Sequence, residues 1–292
     1  MEKFKGIFTA LITPFKNGKI DFSSLEKLVK FQINKGVNGF VINGTTAESP
    51  NLSSEEVNEI FKKVKGWAGS LPLIVGTGTN STSQTIENTK KAQLMGADAA
   101  LVVVPYYNKP PQRGLELHFR AVAKSTNLPV ILYNVPGRTI TSLDPETVKK
   151  ISLEPNVIGI KEASGKMDVA EKILDLMSQS FLMLSGDDAS YVDFLGVGGH
   201  GVISVASHII PNQFVDWTTL VKNNQLEQAR KEIKKYERLI NLLFVEANPI
   251  PVKKALEFMG IIESAECRLP LVELKEVYSE ALKEEMKNVG LL

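Results

Sequence analysis

One cysteine, Cys267, is all that the 292-residue sequence carries. No disulfide can therefore form within the chain, and a reducing cytoplasm is the compartment such a chain suits. Histidine is scarce as well: His118, His200 and His208 are the three present. No two of them stand at a metal-site spacing, so each reads as a core or surface residue and no metal is expected. Net charge is only +1 and no basic run exceeds about three residues, which excludes a nucleic-acid surface built on charge. No window approaches about 18 consecutive apolar residues, so no membrane span is expected. The opening Met1-Glu-Lys-Phe-Lys5 has no apolar stretch of the kind found in a secretory leader, again pointing to the cytoplasm.

What the chain does have is a recurrent pattern of short apolar runs. They are Phe8–Ile12, Phe40–Ile42, Leu73–Val75, Ala100–Val104, Val130–Tyr133, Val157–Ile160, Leu182–Leu184 and Val202–Val205. Their ends fall roughly 20–33 residues apart, the length a strand, a loop, a helix and a return loop require. Most are continuously apolar, as strands buried on both faces of a parallel sheet are. Helical patterns fill the gaps. Ser23-x-x-Glu26 and Ser53-x-x-Glu56 have the form of capping boxes, and Ser81-x-x-Gln84 opens a third helix ending near Gly96. Leu115, Phe119, Val122 and Ala123 mark a fourth, Asp144-Pro145 opens a fifth, and Asp168-x-x-Glu171 caps a sixth. A seventh runs from about Asp188 to Leu195, and helices continue from Pro211, including Pro251–Met259 and Leu271–Leu282. Eight such repeats predict an α/β fold, a closed (β/α)8 TIM barrel over residues 1–224, with a C-terminal helical segment over 225–292. A doubly wound open sheet is the alternative.

In a barrel of this kind the chemistry sits where strands end. After the second run comes Gly44-Thr45-Thr46-Ala47-Glu48-Ser49, after the fourth Pro105-Tyr106-Tyr107-Asn108. Tyr133 ends the fifth run and Asn134-Val135-Pro136-Gly137-Arg138 follows it; Lys161-Glu162 follows the sixth, Gly186-Asp187-Asp188 the seventh. Lysine at such a place suggests a nucleophile. An amine attacks a ketone only when unprotonated, and an ordinary lysine amine has a pKa of about 10.4, so the use of one demands surroundings that disfavour the ammonium form. The imine that forms is an electron sink, and its enamine attacks an aldehyde. Tyr133, one strand away, is placed to give and take the protons, with Thr45 and Tyr107 as hydroxyls to relay them. Thr45 and Thr46 suit a carboxylate, and Arg138 offers a planar fork for a second. Plainer readings stand beside these: a solvated lysine, packed tyrosines, turn-forming threonines, and a surface ion pair for Arg138. Gly76-Thr77-Gly78 imitates a dinucleotide fingerprint, but Ser81 stands where its third glycine belongs. It reads as a tight turn.

Gly44-Thr-Thr-Ala-Glu-Ser49, Tyr133-Asn-Val-Pro-Gly-Arg138 and Ile160-Lys-Glu-Ala-Ser164, joined by Ser185-Gly-Asp-Asp188 and Asn248-Pro-Ile-Pro-Val-Lys253, together resemble the dihydrodipicolinate synthase family. That family belongs to the pyruvate-dependent aldolases, with N-acetylneuraminate lyase among its relatives. The resemblance runs from about Phe8 to Pro270. It implies condensation of pyruvate with L-aspartate 4-semialdehyde in diaminopimelate and lysine biosynthesis, without metal or organic cofactor. Lys161 would form the Schiff base, and Tyr133, Thr45 and Tyr107 the proton relay, the last reaching into a neighbouring subunit. Thr46, Ile203 and Gly186 would serve substrate binding, and Arg138 the semialdehyde carboxylate. A homotetramer, built as a dimer of dimers, is implied.

Two features depart from the family pattern. Ala47 replaces a glycine. Around the implied effector pocket of Ser49, Asn80, Gln84 and Tyr106, Gln84 is neutral where lysine-sensitive relatives carry glutamate, and Ser54 and Val57 fall where some carry histidine. Loss of a charge partner costs about 2–5 kcal/mol of binding, so lysine inhibition is expected to be weak or absent. The alternatives to the synthase are another pyruvate aldolase, such as N-acetylneuraminate lyase, and a non-catalytic keto-acid-binding barrel.

Overall fold

Valine, isoleucine and leucine in unbroken runs leave a strand no polar face to show to water, so it must be covered on both sides. The computed structural model, which describes every residue from Met1 to Leu292, places all eight runs in such strands. The strands are β1 (Gly6–Ala10), β2 (Phe15–Lys16), β3 (Lys19–Ile20), β4 (Gly39–Ile42), β5 (Leu73–Gly76), β6 (Ala99–Val103), β7 (Val130–Asn134), β8 (Val157–Glu162), β9 (Leu182–Ser185) and β10 (Gly201–Ser204). Eight of them close into a barrel in the order β1-β10-β9-β8-β7-β6-β5-β4, with helices between successive strands and further helices after the last. This is the TIM barrel predicted. No helix is long and apolar enough to cross a membrane.

Two compact units make up the chain: Met1–Gly6 with Pro72–Ile203, and Ile7–Leu71 with Ser204–Leu292. Within the first, β5 to β10 run parallel, with Ile74 opposite Ala99, Val103 opposite Tyr133, Tyr133 opposite Lys161 and Lys161 opposite Leu184. Gly159 is required there, since a Cβ would run into the Leu182 carbonyl of the neighbouring strand. Within the second unit, Phe8 of β1 pairs with Gly39 of β4.

Several boundaries differ from those the sequence suggested. The first helix, Phe22–Asn34, is capped by Asp21 rather than Ser23, because the Asp21 carboxylate accepts from both the backbone and the hydroxyl of Ser24 (3.0 and 2.6 Å). Both halves of the Ser53/Glu56 capping box form, and Ser81 caps Thr82–Met95. Lys166, not Asp168, is the N-cap of Met167–Leu176; the left-handed Gly165 turns the chain in first, and Asp168 sits in the first turn, where its charge suits the helix dipole. The helices near the C-terminus are Ile250–Phe258 and Glu276–Asn288, the last starting five residues later than predicted. The β2–β3 ribbon was not foreseen. Its turn is Asn17-Gly18, both at positive φ (53° and 75°), which is what a two-residue turn between right-twisted strands demands.

The second unit buries a polar chain beside β1. The Thr9 hydroxyl donates to Gln32 Oε1 (2.6 Å) and meets Ser207 Oγ (3.0 Å), while Gln32 Nε2 donates to the His208 carbonyl (2.9 Å). His208 Nε2 accepts from the Ile12 amide (3.2 Å) and Nδ1 lies 2.8 Å from the Val205 carbonyl. Nε2 must therefore carry a lone pair and Nδ1 the proton, which is the neutral ring. Burial pushes the pKa of His208 down to about 4 from 6.5. The unfolded chain takes up this proton as pH falls through 6.5 and the folded chain does not until about 4, so the stabilisation is complete above the unfolded value and is lost between the two. The loss is of the order of 3 kcal/mol. Urea midpoints should fall between pH 6.5 and 4 in the wild type and less steeply in His208→Gln; equal slopes would remove His208 as a source.

Candidate active site

Lys161 does not follow its strand, as the sequence suggested, but lies within it: β8 continues to Glu162. The apolar run ends at Ile160, yet backbone pairing with β7 and β9 carries the strand two residues further. Because Tyr133 and Lys161 are in register, the pleat sends both side chains to the same face of the sheet. Each is only 7% exposed, and Lys161 Nζ lies 4.2 Å from the centroid of the Tyr133 ring. None of the chain's ion pairs involves Lys161, so no carboxylate holds the amine away from a reacting carbonyl. Gly186, after β9, leaves the space for its stem. A Cβ there would stand 2.6 Å from Lys161 Cε and 2.5 Å from Ala163 Cβ. Ile203 is buried in β10.

Other predicted residues of this unit stand on loops. Arg138 is exposed on the helical turn Pro136–Thr139. Tyr107 stands apart from the buried pair, 87% exposed and at φ 73°. Tyr106 is also exposed. Asn108 donates to the Asn80 carbonyl (2.9 Å), and the exposed Gln84 turns its amide along its own helix to Asn88 (3.0 Å).

In the second unit Thr45–Ala47 form one 3-10 turn. Ala47 lies inside that turn, buried and without positive φ, so a glycine is not needed there. Thr46 is buried, and its Oγ1 accepts from Asn248 Nδ2 (2.9 Å). Since that lone pair is occupied, the hydroxyl proton of Thr46 must be donated elsewhere. Thr13 donates to the Ala47 carbonyl (2.9 Å), and Ser49 begins the next turn. Glu48 adopts a left-handed conformation (φ 58°) that costs a non-glycine residue energy. It is held there by a fully buried ion pair with Lys253 and by the Arg268 amide (2.9 Å). Lys253 also donates to the Glu266 carbonyl (2.8 Å), and burial lowers its pKa against the pull of Cys267 and Glu48. Burial pushes the Cys267 thiol up to about 12. Arg268 forks onto Glu56 (2.8 and 2.6 Å) over the Phe15 ring. The sequence reading assigned no role to Glu48, Lys253 or Asn248. The available signal was Lys253 itself, a charge at a helical position flanked by the buried Val252, Ala255 and Leu256.

Residues 3–289 match the model of the dihydrodipicolinate synthetase family. The chain belongs to that family. The 4-hydroxy-tetrahydrodipicolinate synthase of Bdellovibrio bacteriovorus is 62% identical over 293 residues, covering 100% of both chains. The crystal structure of dihydrodipicolinate synthase from Thermotoga maritima superposes with a TM-score of 0.97 at 43% identity, over 99% of this chain and 100% of that one. That of the chloride-inhibited synthase from Acinetobacter baumannii complexed with pyruvate gives 0.95 at 42% identity, over 99% of each. Enzymes of the dihydrodipicolinate synthetase family are pyruvate-using Schiff-base lyases, and the chain is an enzyme of that class.

The clearance at Gly186 supplies a direct check on the buried pair. Gly186→Ala should push the lysine stem aside by up to about 1 Å and lower turnover roughly 100-fold, with the far-UV circular dichroism unchanged. Turnover at the wild-type level would mean that Lys161 has room to spare.

Proposed function

We propose that the chain is a 4-hydroxy-tetrahydrodipicolinate synthase, joining pyruvate to L-aspartate 4-semialdehyde. The observation that carries this is the amine of Lys161, buried on the same face as the Tyr133 phenol and without a carboxylate partner. Lys161 Nζ adds to the pyruvate ketone, and loss of water forms the imine. Loss of a methyl proton then gives the enamine, whose carbon attacks the aldehyde. The amino group of the semialdehyde displaces Lys161, closing the ring and freeing the enzyme. Tyr133 moves protons at the nitrogen and at the departing oxygen. Thr45 and Tyr107 complete the relay, and Thr46 gives its free hydroxyl proton to the pyruvate carboxylate, supported by its bond from Asn248. Ile203 and Gly186 lie along the bound pyruvate, and Arg138 takes the semialdehyde carboxylate.

The assembly proposed is a homotetramer, a dimer of dimers. It is supported by Tyr107, a phenol almost wholly in water on a strained backbone, which is costly for a residue with no role beyond its own subunit. The reaction needs neither membrane nor nucleic acid and belongs in the cytoplasm.

Borohydride added with pyruvate should reduce the imine to a stable three-carbon adduct on Lys161, absent in Lys161→Ala; a wild-type enzyme that gains no adduct would rule out the Schiff base. Tyr133→Phe should still bind pyruvate but turn over about 100-fold or more slowly in the coupled assay with the semialdehyde. Gln84, neutral and bonded within its own helix, offers no charge to an ammonium ligand, so lysine should inhibit weakly or not at all. An inhibition constant in the low micromolar range would contradict this.

A further inference from the structure

Beside the reacting pair lies a second pair that the chemistry does not use. Asn134 and Glu162 are the next residues along β7 and β8, and they too stand in register. Strand alternation turns them to the other face. Both are buried, at 0% and 4% exposure, where polar groups are costly unless every one is bonded. Here they are bonded throughout. Asn134 Nδ2 donates to Glu162 Oε2 (2.7 Å), and Glu162 Oε1 accepts the Ser164 amide (2.7 Å). Asn134 Oδ1 accepts the Leu143 amide (3.0 Å), nine residues on, and the Ser142 hydroxyl (3.4 Å). The far end of the same loop is also gripped by Gln112, which donates to the Ser142 carbonyl (2.7 Å) and accepts from the Asp144 amide (3.1 Å).

We infer that Asn134 and Glu162 are positioning residues: one buried amide–carboxylate clamp ties the loop Val135–Leu143, and Arg138 on it, to the strand that carries Lys161. The loop begins at Asn134 and is drawn back to the side chain of the same residue, so its two ends are held at one point. That point is fixed in turn by Glu162, the immediate neighbour of Lys161. A shift of the clamp therefore moves Arg138 relative to the amine while leaving the amine and its tyrosine in place on the paired strands. The clamp governs capture of the aldehyde substrate, not of pyruvate. This rests on the reading of Arg138 as the carboxylate-binding residue for the semialdehyde.

The hydrogen-bond roles provide a stringent test. Glu162→Gln sets an NH2 group against one of the two N–H donors that face it. Asn134→Asp sets two carboxylates face to face, one of which must then hold a proton. In the double variant Asn134→Asp/Glu162→Gln, the Gln amide donates to Asp, the Gln carbonyl accepts from Ser164, and Asp accepts from Leu143. Each contact is restored with the charge moved across one strand. Each single variant should raise KM for L-aspartate 4-semialdehyde roughly 10-fold, the cost of one frustrated buried bond, with KM for pyruvate and borohydride trapping on Lys161 within about twofold of wild type. The double variant should recover most of the loss, and Asn134→Asp alone should recover on acidification as its carboxylates share a proton. Arg138→Met is run alongside: if it leaves the semialdehyde KM unchanged, the reading of Arg138 fails. If it raises that KM while the clamp variants do not, the clamp inference is overturned. Both Michaelis constants rising together, without recovery in the double variant, would also overturn it. Should the single variants not fold, Gln112→Leu loosens only the far end of the loop and should raise the semialdehyde KM alone; no change there would equally sink the inference.

Discussion

The site depends on the register between β7 and β8. Placing Tyr133 opposite Lys161 puts a phenol and an amine on one face, because adjacent strands in register present equivalent residues to the same side. A slip of one residue would turn Lys161 to the opposite face and bring Glu162 to the phenol, exchanging an amine for a carboxylate. The pairing is continued on the other side by Leu184 and Ser185 of β9, so the lysine is held between two strands and not on a mobile loop. Gly186, the next residue, has no side chain to fill the volume that Lys161 occupies.

The second unit treats charge differently. Glu48 and Lys253 are both fully buried, an arrangement whose desolvation cost rivals its Coulombic gain and which therefore contributes little net stability. Its effect is on conformation. Glu48 lies in the left-handed region directly after the Thr45–Ala47 turn, and the partners that hold it, Lys253 and the Arg268 amide, come from the C-terminal part of the chain. Asn248, from the same part, occupies the oxygen of Thr46. The C-terminal part of the chain, through one helix residue and two loop residues, is thus joined to the threonine turn by specific polar bonds, which select one geometry where apolar packing would tolerate several.

Much of the barrel could be read in the sequence. Continuous runs such as Val130–Tyr133 and Leu182–Leu184 have no polar side to show to water, and each became a barrel strand. What could not be read was set by non-local pairing. The end of β8 was placed at Ile160 by hydrophobicity, but the backbone bonds that extend it to Glu162 come from β7 and β9. Asp21 outcompeted Ser23 as a cap because its carboxylate reaches two donors on Ser24. The β2–β3 ribbon leaves no strand pattern in the sequence because its strands hold two residues each, too few to show an alternation, although Asn17-Gly18 carries the turn signal.

The sequence alone determined the repeat of strands and helices, the family, and the identity of the one lysine that ends an apolar run beside a tyrosine one strand away. These follow from local hydrophobicity and from motifs short enough to lie along the chain. The tertiary structure decided which buried polar residues find partners. Asn134 with Glu162 and Leu143, or Glu48 with Lys253 and Arg268, are bonded across as many as 220 positions. A hydrogen bond between groups so far apart in the chain leaves no periodicity in the sequence; only folding brings its donor to its acceptor.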